Sequence, residues 1–137
     1  MNTTVRWLRI SYWVGAVADA GAAAVMLSQA ILGNQSPLTH YTPEVPYRYA
    51  MGLGGSLMLG WAILLLWADR RPVDRRGVLL ITSVVILGLV ASDIAAVRAG
   101  FVPFTSMAPL LAFQVILIVL FGGSYAKARH YVSRGGA

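Results

Sequence analysis

Four runs of about twenty apolar residues constrain this chain more than any other feature: 10–32, 49–68, 78–97 and 107–126. A bilayer's hydrocarbon layer is about 30 Å thick and takes about 20 helical residues at 1.5 Å each. Backbone N–H and C=O groups in lipid must be bonded internally. The runs are therefore expected as helices, since strands of this length would have to close into a barrel, for which 137 residues are too few.

Composition agrees. With 58% hydrophobic residues, 12% charged and a mean hydropathy of +0.69, the chain does not read as a soluble domain. The absence of cysteine excludes a disulfide scaffold and thiol redox chemistry, and the apolar excess excludes a disordered tail. The expected fold is all-α: one integral membrane four-helix antiparallel transmembrane bundle over 1–137, with an outer loop 33–48 and a basic loop 69–77.

Local punctuation fits these spans. Gly33-Asn34 stops the first run, and Pro37, Pro43 and Pro46 keep the connection to the second irregular. Thr105 or Ser106 can cap the fourth run, which places Pro109 in its first turn; a start near Pro103 would instead put a kink at Pro109. The first run reads as a span and not as a cleaved signal, because it continues past Asp19 to Leu32.

Arg and Lys set the expected orientation. Arg6 and Arg9 precede the first run, Arg70, Arg71, Arg75 and Arg76 separate the second from the third, and Lys127, Arg129 and Arg134 follow the fourth. Nine of the eleven basic residues thus fall on one side, so both termini are expected in the cytoplasm and the protein in the cell membrane. The net charge of +6 flanks membrane spans, where anionic headgroups account for it, and nucleic acid is not an expected partner.

Ionisable groups inside a membrane are costly, about 2.5 to 3.5 kcal/mol at mid-span, and so mark candidate sites. Asp19 is the first. At helical spacing its face collects Tyr12, Gly15, Ala16, Ala22, Ala23 and Met26, a narrow seam carrying one phenol. Such a carboxyl can serve coupling or binding, or can be a hydrogen-bonded packing group.

Asp93, in the third span, is the second. Arg98 or Arg48 can pair with it near the outer headgroups, either as a structural ion pair or as the frame of a polar pocket. The outer loop adds His40, Tyr41, Glu44, Tyr47 and Tyr49, which can bind an anion or act as acid and base if they converge, or can anchor the interface. Gln114 in the fourth span is expected to point into the bundle and make an interhelical hydrogen bond.

Val17-Ala18-Asp19 and Val90-Ala91-Ser92-Asp93 form a faint internal echo, which a parallel two-helix repeat would produce. Gly52, Ser56 and Gly60, and likewise Gly88, Ser92 and Ala96, repeat small residues every four positions, a pattern for close packing or assembly. The paired Asp69-Arg70-Arg71 and Asp74-Arg75-Arg76 fit a topology signal or a headgroup contact.

No cofactor and no metal site is expected. There is no Gly-rich phosphate loop, the single lysine, Lys127, sits at a helix end, and His40 and His130 fall on opposite faces. The leading expectation is binding or transport of a small solute or ion through a polar site in the bundle. The alternatives are a non-catalytic membrane subunit packed against a partner, and a membrane-embedded enzyme acting on a lipid or isoprenoid-like substrate. Expected partners are the bilayer and either a second copy or another membrane protein.

Overall fold

A computed structural model describes residues 3–36 and 44–133. Four helices follow one another: α1 (Thr3–Leu32), α2 (Val45–Asp69), α3 (Gly77–Arg98) and α4 (Phe104–Ser133). Each is long and apolar enough to cross a membrane. They run up-down-up-down. Ala30 faces Gly52 while Gly15 faces Leu65, and Ser11 meets Ser124 while Gly15 also meets Phe121, so α1 is antiparallel to both α2 and α4.

The helices outrun the apolar runs. α1 begins at Thr3 and not near 10, because Arg6 and Arg9 interrupt hydropathy without interrupting helical backbone. α4 continues to Ser133 through Lys127 and Arg129 for the same reason. At 30 residues each, these two are about 45 Å long, well beyond a 30 Å hydrocarbon layer. α2 begins at Val45 and not at 49, with Pro46 in its first turn, where a missing N–H costs nothing. α4 starts at Phe104, so Pro109 lies inside the helix and offers no N–H to the carbonyl of Thr105.

Two helix ends use glycine in the left-handed region. Gly33 (φ 69°) follows α1, and Gly100 (φ 72°) follows α3. At the second, the Phe101 N–H bonds Ala96 O at 3.0 Å and the Gly100 N–H bonds Val97 O at 3.0 Å, the paired bonds that close a helix with a left-handed residue.

Side chains are not sorted into one wet and one dry face per helix. Val17, Leu57 and Val119 are each about two-thirds or more exposed (66%, 71% and 69%), as expected where the surroundings are lipid. The packed core lies near the arginine-rich end, formed by Leu8, Tyr12, Leu65, Leu79, Phe121 and Ala128, all completely buried.

α1 and α2 approach most closely through glycine. A Cβ on Gly55 would stand 2.8 Å from Leu27 Cγ and 3.2 Å from the Leu27 backbone nitrogen, so this crossing needs the missing side chain. The expected stripe of Gly52, Ser56 and Gly60 is only partly the packing face. Gly52 meets Ala30, but Ser56 is exposed and Gly60 has open space where its Cβ would be. Gly88 and Ser92 on α3 also face outward.

Candidate functional site

All four helices contribute to a partly open cavity of about 130 Å³ within the bundle. α1 supplies Gly15, Asp19 and Ala22, α2 supplies Met58, α3 supplies Thr82 and Ile86, and α4 supplies Phe113, Gln114 and Phe121. Asp19 reaches it because Gly15, Ala18 and Ala22 keep the surrounding helical face small. Most of the wall is apolar.

Three polar side chains line this cavity, in different conditions. The Thr82 hydroxyl donates to Val78 O at 2.8 Å and accepts from Trp61 Nε1 at 3.1 Å, joining α3 to α2. Asp19 Oδ2 and Gln114 Oε1 are buried and have no hydrogen-bond partner. Unpaired buried oxygens of this kind are uncommon, because each forfeits its hydration without compensation. Two of them bordering one cavity make it a candidate site.

A second pocket, of about 550 Å³, adjoins the first and extends toward the end opposite the arginines. Ala18, Ala22 and Leu110 border both spaces. Gln29, Tyr47, Met51, Asp93 and Phe101 line the second. Gln114 Nε2 donates to Asp93 Oδ2 at 2.8 Å, so a residue of the inner wall is tied to a residue of the outer one. Among the described residues, no arginine, lysine or histidine lines either space.

The expected pairing of Asp93 with Arg48 or Arg98 is not formed, and its partner is Gln114. Arg48 is occupied elsewhere. Its Nε donates to Ala30 O and one terminal nitrogen to Ile31 O, each at 2.9 Å, so it caps the carbonyl end of α1. The only ion pair among the described residues joins Arg9 Nε to Asp69 Oδ1 at 3.6 Å. Gln114 does make the expected interhelical bond, to a carboxylate.

Tyr12 does not line the cavity, although it shares the helix face of Asp19. It is buried toward the arginine-rich end, where its hydroxyl lies 3.0 Å from Arg75 O and 3.3 Å from Pro72 O. It therefore pins the α2–α3 turn. Around the turn, Trp13 Nε1 donates to Asp69 Oδ2 at 3.3 Å, and Arg75 lies over the Trp67 ring and bonds the Trp67 carbonyl.

Of the outer-loop candidates, Tyr47 lines the outer pocket and donates to Gln29 Oε1 at 3.1 Å. Glu44 precedes α2 without a side-chain cap bond, and Tyr49 is 70% exposed and faces away. His40 and Tyr41 lie outside the described residues. No group of three or more His, Asp or Glu able to hold a metal occurs among the described residues.

Sequence reasoning missed Gln29 and Trp61, and reached Thr82 only as a residue on the helix face of Asp93. Gln29 was legible as a strongly polar residue near the end of an apolar run; the Trp61–Thr82 bond depends on helix register and had no sequence signal. Compared with known protein families, curated proteins and solved structures, the chain matches none of them.

Proposed function

We propose that the chain is an integral membrane protein whose bundle interior binds or passes a small solute or ion, with Asp19 as the binding or coupling carboxyl. The observation that carries this reading is the pair of unpartnered buried oxygens, Asp19 Oδ2 and Gln114 Oε1, on one cavity. Side chains that served packing alone would satisfy both, since an unmet polar group in lipid costs several kcal/mol; the one other such oxygen among the described residues, Asp69 Oδ1, has the Arg9 charge 3.6 Å away. The placement of the core supports the same reading: the fully buried side chains gather near the arginine-rich end, and the two adjoining spaces that carry Asp19, Gln114 and Asp93 lie in the middle and toward the other end.

In this reading the arginine-rich end and both termini face the cytoplasm of the cell membrane, and solute enters through the Asp93 pocket. Reconstitution tests it. Proteoliposomes challenged with gradients of small cations, anions and neutral solutes should show a protein-dependent flux or electrical transient that Asp19→Asn abolishes. No response from any solute class, with folded protein in the bilayer, would contradict it.

One observation favours a second reading, a non-catalytic subunit or a homo-oligomer. Gly60, Gly88 and Ser92 present small residues outward, where another helix could pack. An enzyme acting through the outer loop is less well supported, because Glu44 and Tyr49 stay away from Asp93.

A further inference from the structure

The inner cavity has a composition that selects among solutes. Its two unmet groups are both oxygen acceptors, one of them a carboxylate oxygen, and a carboxylate accepts hydrogen bonds without donating any. Its third polar group, Thr82, already has a donor and an acceptor partner. The unmet atoms of the cavity are therefore acceptors, no positive charge lines it, and a bound ligand that satisfies them must bring donors.

Asp93 explains why the amide presents its oxygen. The Asp93 carboxylate accepts from Gln114 Nε2 at 2.8 Å, so the NH₂ end of the amide is held on Asp93. The carbonyl oxygen is left as the atom without a partner. Asp93 acts through Gln114 as a positioning residue.

The rest of the wall decides which donor-rich cation fits. Calcium and magnesium take about six to eight oxygens, and two protein oxygens among Met58, Ile86, Leu89, Phe113 and Phe121 do not supply them. A primary ammonium group needs fewer. Its three N–H donors can meet Asp19 Oδ2 and Gln114 Oε1, while its alkyl part and remaining charge lie against apolar and aromatic surface. A cavity of about 130 Å³ has room for a ligand of about five or six heavy atoms, by comparison with a cavity near 150 Å³ that holds benzene.

We infer that the cavity between Asp19 and Gln114 is a binding site for a small primary ammonium ion. This assignment rests on the proposed solute-binding role of the bundle and names its ligand class. The ammonium group bridges the Asp19 carboxylate and the Gln114 carbonyl oxygen, and its short alkyl chain lies toward Phe113 and Phe121.

Equilibrium dialysis of the full chain in lipid nanodiscs against radiolabelled methylammonium at neutral pH tests it. One saturable site is expected, weakened at least about thirtyfold by Asp19→Asn and about tenfold by Gln114→Leu, the range for losing a hydrogen bond to a charged group. Sodium should compete at least about tenfold more weakly than methylammonium, and unlabelled n-alkylammonium ions should bind up to about pentylammonium, the longest that about six heavy atoms allow, and fall off beyond it. If Asp19→Asn fails to assemble, Gln114→Leu and the competition series carry the test.

Sodium competing equally well, or methylammonium binding unchanged in both variants, would overturn the assignment. Asp19-dependent binding of urea or formate without methylammonium would overturn the ammonium class and leave the solute-binding role standing. Absence of binding by every probe, together with silent proteoliposomes, would remove both.

Discussion

Gln114 on α4 and Asp93 on α3 are joined across 2.8 Å by an amide-to-carboxylate hydrogen bond, and each borders a different internal space. The bond couples the orientation of the inner-cavity oxygen to a residue of the outer pocket. Asp93→Asn keeps the size of the side chain but can donate as well as accept, so the amide is no longer held one way. Solute affinity is expected to fall several-fold with little loss of stability. Asp93→Leu leaves Gln114 Nε2 buried without a partner and should cost about 1–3 kcal/mol in a denaturation titration.

Tyr12→Phe removes the hydroxyl that reaches the carbonyls of Pro72 and Arg75. The ring remains in the core, so a loss of only about 1 kcal/mol is expected. Hydrogen–deuterium exchange should rise in residues 70–76 while solute binding stays unchanged. An affinity change in this variant would show that Tyr12 belongs to the site.

Gly55 and Gly60 lie five residues apart on α2 and should respond oppositely to alanine. At Gly55 the new methyl meets Leu27, including its backbone, at 2.8–3.2 Å, so α1 and α2 must separate, at a cost of about 1–3 kcal/mol. At Gly60 it meets nothing within 4 Å, and stability should hold or rise slightly through better helix propensity. Thermal unfolding of the two variants in one detergent checks this. A loss at Gly60 equal to that at Gly55 would point to an interface that covers Gly60.

Arg48 caps α1 through two nitrogens placed on successive carbonyls, Ala30 O and Ile31 O. Lysine has a single nitrogen on a flexible stem and does not reproduce this fork. Arg48→Lys should cost about 1 kcal/mol. Exchange protection should drop over the last turn of α1, and not around Asp93, to which Arg48 makes no bond.

Helix number and order were legible in the sequence because apolar runs of span length report them directly. Helix ends were not, since hydropathy stops at Arg9 or Lys127 whereas helical backbone does not. The same gap hid the site's central bond. Asp93 and Gln114 were each recognisable as polar residues in a span, but their meeting depends on α4 starting at Phe104 and on the length of the turn after Gly100. Arginine was the expected partner for Asp93 on charge alone, yet the α1 carbonyls of Ala30 and Ile31 hold Arg48. The α1–α2 contact was half visible: Gly52 lies on it, but the closest approaches are at Gly54, against Met26, and Gly55, against Leu27, which a four-residue spacing of small residues does not pick out.

In the proposed role solute and water reach the bundle interior at Asp19, and thiol accessibility reads this out. The chain contains no cysteine, so single replacements report without background. Ala18 is half-buried and borders both spaces, and Val17 on the same helix points outward at 66% exposure. Thiol reagents attack the thiolate, which forms where water reaches. In the membrane-embedded protein, Ala18→Cys should react with a small cationic methanethiosulfonate, faster than with an anionic one, while Val17→Cys in lipid stays inert. An unreactive cysteine at position 18 in correctly folded protein would contradict the proposed route, because it would mean that the cavity beside Asp19 is sealed and dry.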